Sequence, residues 1–185
     1  MGVGGEEAIA FETHIGQGRR DLLTIVAPRH PNRGDAIEAL ARSRSLPVAR
    51  RSRGELPDGS TEVYLADTLG EMGLFYSVAR QSFIAGSFVP VGGHNPLEAA
   101  HFDTAILIGP DRRNNAAAAK ALVEADAAIE VGDPPSLSAA LAKLLADPAR
   151  RDRLAANALG VVAQHEGVLD AILARLQPTL DRISP

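Results

Sequence analysis

Short apolar runs alternate with amphipathic stretches along most of the chain. Residues 22–27 (LLTIVA), 61–66 (TEVYLA), 82–85 (SFIA), 104–108 (TAILI) and 128–131 (AIEV) read as strands, with a shorter one over 48–51 (VARR). The unbroken apolar run of 22–27 predicts a strand buried on both faces. Between these runs the apolar positions take helical spacing. Ala8, Ile9, Phe11 and Ile15 mark a helix over 6–15, with Glu6 and Glu7 at the positive end of its dipole and Gly16 and Gly18 ending it. Further helices are expected over 35–43, over 70–80, from Pro96, and over 115–125, 136–146 and 149–163. A last one, over 168–183, is expected to break at Pro178. The segments 28–34, 53–60 and 86–93 are rich in Gly, Pro and polar residues and read as loops. Strand and helix in alternation predict an α/β fold, a parallel sheet of about six strands flanked by helices, joined by right-handed crossovers. Neither a repeat nor a low-complexity linker interrupts it.

Composition narrows the class. The 185 residues are 45% hydrophobic and carry a net charge of -4, which fits one ordered domain rather than a disordered chain. Cysteine is absent, which excludes a disulfide scaffold, Cys-ligated zinc and a catalytic thiol. The apolar runs are far shorter than the ~20 residues of a membrane span, and no signal peptide is expected. All basic residues are Arg apart from Lys120 and Lys143, and acids balance them, which argues against nucleic acid as a partner. His14, His30, His94, His101 and His165 show no metal-ligand spacing, so no metal is expected. His14, inside the first helix, reads as structural. Residues 1–5 (MGVGG) are expected to be an engineered remnant or truncated linker, and 6–185 the domain.

In a parallel α/β sheet, ligands bind beyond the carboxyl ends of the strands. There the sequence places Pro28-Arg29-His30-Pro31, Asp67-Thr68-Leu69-Gly70-Glu71, Gly86-Ser87 with Gly92-Gly93-His94-Asn95-Pro96-Leu97-Glu98, and Gly109-Pro110-Asp111-Arg112. GGHNPLE has two readings. It is an anion or nucleotide site at a helix start, with Glu98 on a ribose hydroxyl, or it is a capping box of Asn95 with Glu98 that closes a glycine turn. Thr68 and Glu71 pose the same choice. Arg29, stiffened between two prolines, is either a phosphate clamp or a solvated loop residue. Neither a Gly-x-Gly-x-x-Gly nor a Walker A loop occurs, and neither does a Gly-x-Ser-x-Gly elbow.

The ordered set PRHPNR (28–33), DTLGEMGLFY (67–76) and AGSFVPVGGHNPLEAA (85–100) resembles the C-terminal half of 3-deoxy-D-manno-octulosonic acid (Kdo) transferases, which are GT-B glycosyltransferases. The likeness runs from about Gly5, where Gly5-Glu6-Glu7 resembles the end of a family Thr-His-Glu-Gly-Glu-Glu stretch. It implies that 6–185 is a Rossmann-like domain that binds the nucleotide sugar CMP-Kdo without a cofactor. The donor site it implies comprises Arg29, His30, Thr68, Gly70, Glu71, Gly86, Ser87, Gly92, Gly93, His94, Asn95 and Glu98. Arg29 would meet the CMP phosphate, Glu98 the ribose, and Thr68, Gly70 and Glu71 would line the cleft. No catalytic residue falls in this half. The resemblance further implies an N-terminal domain that holds the base and the acceptor, a lipid A precursor, in an enzyme that works as a peripheral protein at the cytoplasmic face of the bacterial inner membrane. The domain alone is expected to be soluble and inactive. Departures from the family pattern are Ala85 for Gly, Ala99 for Pro, Asn32 for Glu, and the lack of a Phe near Asn115. A GT-B domain for a UDP-sugar and a non-catalytic α/β module are the alternatives.

Overall fold

Central strands buried along their whole length, flanking strands buried in part and helices packed against them produce a layered α/β structure. The computed structural model describes residues 5–183, with side chains through Gln164 and at Arg175; Met1–Gly4 of the expected linker lie outside them. The elements in order are α1 (Glu6–Gln17), β1 (Thr24–Val26), α2 (Gly34–Arg42), β2 (Val48–Arg50), β3 (Val63–Leu65), α3 (Met72–Val78), β4 (Gln81–Ile84), α4 (Pro96–Ala100), β5 (Ala105–Ile108), α5 (Ala116–Glu124), β6 (Ala128–Glu130), α6 (Pro134–Ala146) and α7 (Pro148–Ile183).

All strand pairs are parallel, but they form two three-stranded sheets, ordered β1-β3-β2 and β4-β5-β6, where the alternation had suggested one sheet. The two central strands have the apolar sequences Val63-Tyr64-Leu65 and Ala105-Ile106-Leu107-Ile108 and are buried throughout. Successive side chains of β5 point to opposite faces. Ile106 and Ile108 pack with Ala119 and Leu122 of α5 and Ala158, Val161 and Val162 of α7. Ala105 and Leu107 pack with Leu137 and Leu144 of α6 and Leu154 of α7. In the other sheet Val63 and Leu65 face Phe11, Ile37 and Ala41 from α1 and α2, while Tyr64 turns to Ala49 and Phe75. Each fully buried Leu, Ile or Phe contributes roughly 1.5–3 kcal/mol.

Two expectations are corrected. β1 is not buried on both faces: Thr24, Ile25 and Val26 are all half-buried, because β1 is an edge strand with β3 as its only partner. The helices expected over 149–163 and 168–183 are one helix, α7, continuous through Pro178. A proline inside a helix removes one hydrogen bond and favours a kink, and it need not end the helix when the flanking residues are good helix formers.

Within each sheet the parallel pairing puts the carboxyl ends of its three strands on one side, and the loops beyond the two sets of ends are joined through Glu6 and Glu7 of α1. His14 anchors the opposite end, buried, with Nδ1 2.8 Å from the Thr24 hydroxyl and Nε2 3.1 Å from Glu62. Both partners precede or begin strands of the first sheet, so His14 is a structural residue.

Candidate functional site

Two linked groups of loops build the carboxyl-end rim. The first is the segment after β4. Gly92 and Gly93 have φ of +93° and +73°, which only glycine adopts without strain. Space demands it as well: a Cβ on Gly93 would sit 2.7 Å from the Asp111 carbonyl oxygen. The turn is fastened from the loop after β5. Asn114 Nδ2 donates to the Val91 carbonyl and Asn115 Nδ2 to that of Gly93, each at 3.0 Å. The Asp111 N–H donates to the Ser87 carbonyl at 2.9 Å, and the Ser87 hydroxyl accepts from the Gly109 N–H at 3.1 Å. Gly86, Ser87, Gly92, Gly93 and His94 are thereby brought together.

The N–H groups of Gly86, Ser87, Phe88, Gly92, Gly93 and His94 already have acceptors within the protein. The Glu6 carboxylate accepts from the N–H groups of Gly86, Ser87 and Phe88. Asp111 accepts from Gly92 N–H at 2.9 Å, while Gly93 and His94 donate to the carbonyls of Gly86 and Ala85. The nest binds a negative group, but that group is the protein's own carboxylate. Nor is α4 a strong dipole, since it spans five residues. The Asp111 carboxyl is held down at about 2, chiefly by the hydrogen bonds from Arg113.

Glu98 does not fold back as a cap. Asn95 Oδ1 accepts from Leu97 N–H at 3.1 Å, one residue short of the box geometry. The Glu98 side chain is exposed and has no hydrogen-bond or ion-pair partner among the described residues. It lies near Tyr76, whose phenol is pushed up first by burial and then by the Glu98 charge.

The second group follows β2 and β3. Asp67, whose side chain is 1% exposed, accepts from Arg50 Nε at 2.5 Å and from the Ser52 N–H and hydroxyl at 3.0 and 2.8 Å. Burial pushes the Asp67 carboxyl up, but these donors outweigh it and hold it below the usual range. Arg50 also meets Asp35 and Glu38. Of the two readings of Thr68 and Glu71, the capping box does not form, because Glu71 sits at the N-cap position itself with no side-chain cap bond. The Glu71 carboxylate instead takes Arg51 at 2.6 Å and the Thr68 hydroxyl, and these hold its carboxyl down at about 2. Thr68 and Glu71 are thus joined, while Gly70 is exposed with φ of +82°.

Among the rim arginines, Arg33 pairs with Glu7, Arg50 with Asp67, Arg51 with Glu71, Arg53 with Glu38, Arg112 with Glu130 and Arg113 with Asp111. Arg29 is exposed, and its guanidinium has no partner among the described residues. His30 beside it is also exposed. Their loop is tied to the glycine turn through adjacent residues of α1: Glu7 holds Arg33, and Glu6 holds Gly86–Phe88. Arg29 and Glu98 are thus a cation and a carboxylate without hydrogen-bond or ion-pair partners among the described residues, groups suited to a ligand bearing an anionic group and hydroxyls. The sequence puts Asp67 and Asp111 beyond strand ends without showing what they bond, and it gives no signal for Arg50, Asn114 or Asn115.

No family model matches the chain. It is 42% identical over 156 residues to a 3-deoxy-D-manno-octulosonic acid transferase from Rickettsia felis, covering 83% of this chain and 33% of that protein. It is 33% identical over 181 residues to a transferase of the same name from Haemophilus influenzae, covering 96% of this chain and 42% of the relative. The chain thus spans well under half the length of these relatives. Among solved structures it resembles the C-terminal CMP-Kdo binding domain of WaaA from Acinetobacter baumannii, with a TM-score of 0.81 and 32% identity over 85% of this chain and 83% of that one.

Proposed function

Because the chain belongs to the 3-deoxy-D-manno-octulosonic acid (Kdo) transferase family, we propose that it is the donor-binding half of such an enzyme, taking CMP-Kdo on the rim described above. The observation that carries this reading is the unpaired Arg29 on a rim whose other arginines are all paired among the described residues. In the transfer, the bond between the anomeric carbon of Kdo and the CMP phosphate oxygen breaks, and CMP departs as a phosphate monoester. Arg29 donates charge-assisted hydrogen bonds to the phosphate as its charge grows. Glu98, free of any cap bond, accepts from the ribose hydroxyls. The Gly92-Gly93 turn and His94 form a wall of the cleft, with Gly86, Ser87 and Asn95 holding its shape. Thr68, Gly70 and Glu71 form the facing side, and His30 flanks the phosphate. This half needs no nucleophile, since the acceptor hydroxyl attacks and gives its proton to a base. That base, and the site for a lipid A precursor at the cytoplasmic face of the inner membrane, lie in the part of the relatives' length that this chain does not cover. The domain alone is inactive on this reading.

Titration of the isotope-labelled chain with CMP, followed by amide NMR, tests the proposal. Shifts are expected in 28–31, 68–71 and 86–98, with UMP weaker. Stronger binding of UMP would favour a UDP-sugar enzyme, and an unchanged spectrum at millimolar CMP would favour a non-catalytic module. Glu98→Gln should weaken CMP several-fold while stability stays within about 0.5 kcal/mol, the usual range for a surface substitution away from caps. Calorimetry reads both, and a large fall in Tm with unchanged affinity would count against a ribose role.

A further inference from the structure

Glu6 and Glu7 are consecutive residues in the first turn of α1, and their carboxylates serve two different loops. Glu6 gathers three successive N–H groups, those of Gly86, Ser87 and Phe88, some 80 positions along the chain. Glu7 takes Arg33 with both oxygens, at 2.6 and 3.2 Å. Arg33 in turn donates its N–H to the His30 carbonyl at 3.0 Å, which fixes the turn that carries Arg29. Among the described residues the two sheets share no strand pairing, so no β ladder there sets the register between the loop after β1 and the loop after β4. Phe11 seats α1 in the core of the first sheet, while Gln17 bonds Ser138 of α6 beside the second. α1 is therefore anchored to both halves, and its first turn is the bridge between their loops.

We propose that Glu6 and Glu7 are positioning residues, a two-pronged clasp that sets the distance between the Arg29 loop and the glycine turn. Its effect on CMP rests on the donor-site reading, but the clasp itself does not. With three N–H groups on one carboxylate, the loop after β4 is built around a fixed negative charge. The phosphate is therefore directed away from that nest and toward Arg29.

The test uses the 185-residue chain with Glu6→Gln and Glu7→Gln, which keep size and shape but remove charge, so that a space-filling role is unaffected. Amide exchange is expected to rise about tenfold in both 29–33 and 86–88 in each variant, with the strands still protected. CMP affinity should fall about fivefold, within the usual range of such coupling. Glu7→Asp keeps the charge within reach of the half-exposed Arg33 and should restore most of the protection in both loops. Faster exchange confined to each residue's own loop, or no change in either, would overturn the clasp. If the unsubstituted chain fails to bind CMP, the donor reading falls, and the exchange pattern still decides the clasp.

Discussion

Asp67→Ala should destabilise the domain by about 3 kcal/mol in urea unfolding, the largest effect expected of any single rim substitution. The carboxylate is almost fully buried and pairs with Arg50, which is itself only 11% exposed. Its removal leaves the Arg50 Nε–H and two Ser52 donors without their acceptor. Breaking a buried pair from one side costs about 3–5 kcal/mol, because the remaining charge is stranded. Arg50 keeps Asp35 and Glu38, which places the loss at the low end of that range. Against a typical total of about 5–15 kcal/mol, this is a large fraction. A loss under about 1 kcal/mol would mean that water replaces the lost acceptor.

The same carboxylates give the sign of the acid response. Glu38 and Asp67 are pushed up by burial, but their Arg and Ser donors prevail and leave both below the usual range. Glu71 and Asp111 lie at about 2. A carboxyl depressed in the folded state stabilises it above the unfolded value near 4, and that stability is lost as pH falls toward 2. Tm should therefore hold steady above about pH 5 and drop below about pH 4. The drop should be shallower in Asp67→Ala, which has already lost one of these groups.

Local chemistry was legible in the sequence, and long-range polar chemistry was not. Ala105–Ile108 declares itself as a buried strand, because four consecutive apolar residues lie between Thr104 and Gly109; that it is central is a matter of topology. Gly92-Gly93 declares a turn, because only glycine tolerates its φ. The strand at 22–27 was misjudged because hydrophobicity records a preference for burial but not the number of neighbouring strands; β1 has one. Glu6 carries no sequence signal of its bonds to the 86–88 amides, because it lies about 80 residues away and its place in the chain points only to a helix dipole. Asp67 looked like the start of a helix-capping segment. Its true partner, Arg50, stands at the matching end of a neighbouring strand, a proximity created by the register of β2 on β3, in which Arg50 lies opposite Leu65.

Arg29→Ala, in the full-length transferase, should lower kcat/KM for CMP-Kdo by tens-fold or more, from the loss of a charge-assisted hydrogen bond worth about 1.5–3 kcal/mol. Every other rim arginine already serves a carboxylate, and recruiting one to a phosphate would strand its partner. Arg29 has no such partner among the described residues, so its guanidinium reaches a ligand without breaking a bond. Pro28 and Pro31 limit the loop's freedom, which lowers the entropy lost when the side chain is immobilised. Stability should barely change, since removing an exposed side chain with no hydrogen-bond or ion-pair partner among the described residues leaves nothing unsatisfied. Arg29→Lys keeps the charge but loses the planar fork and should recover only part of the activity. The division between constants is also informative: if Arg29 meets charge that grows as CMP leaves, kcat falls along with affinity, whereas a uniform grip on the ground state raises KM alone. Unchanged kinetics in Arg29→Ala would remove this residue from the donor site and take with it the observation on which the functional reading stands.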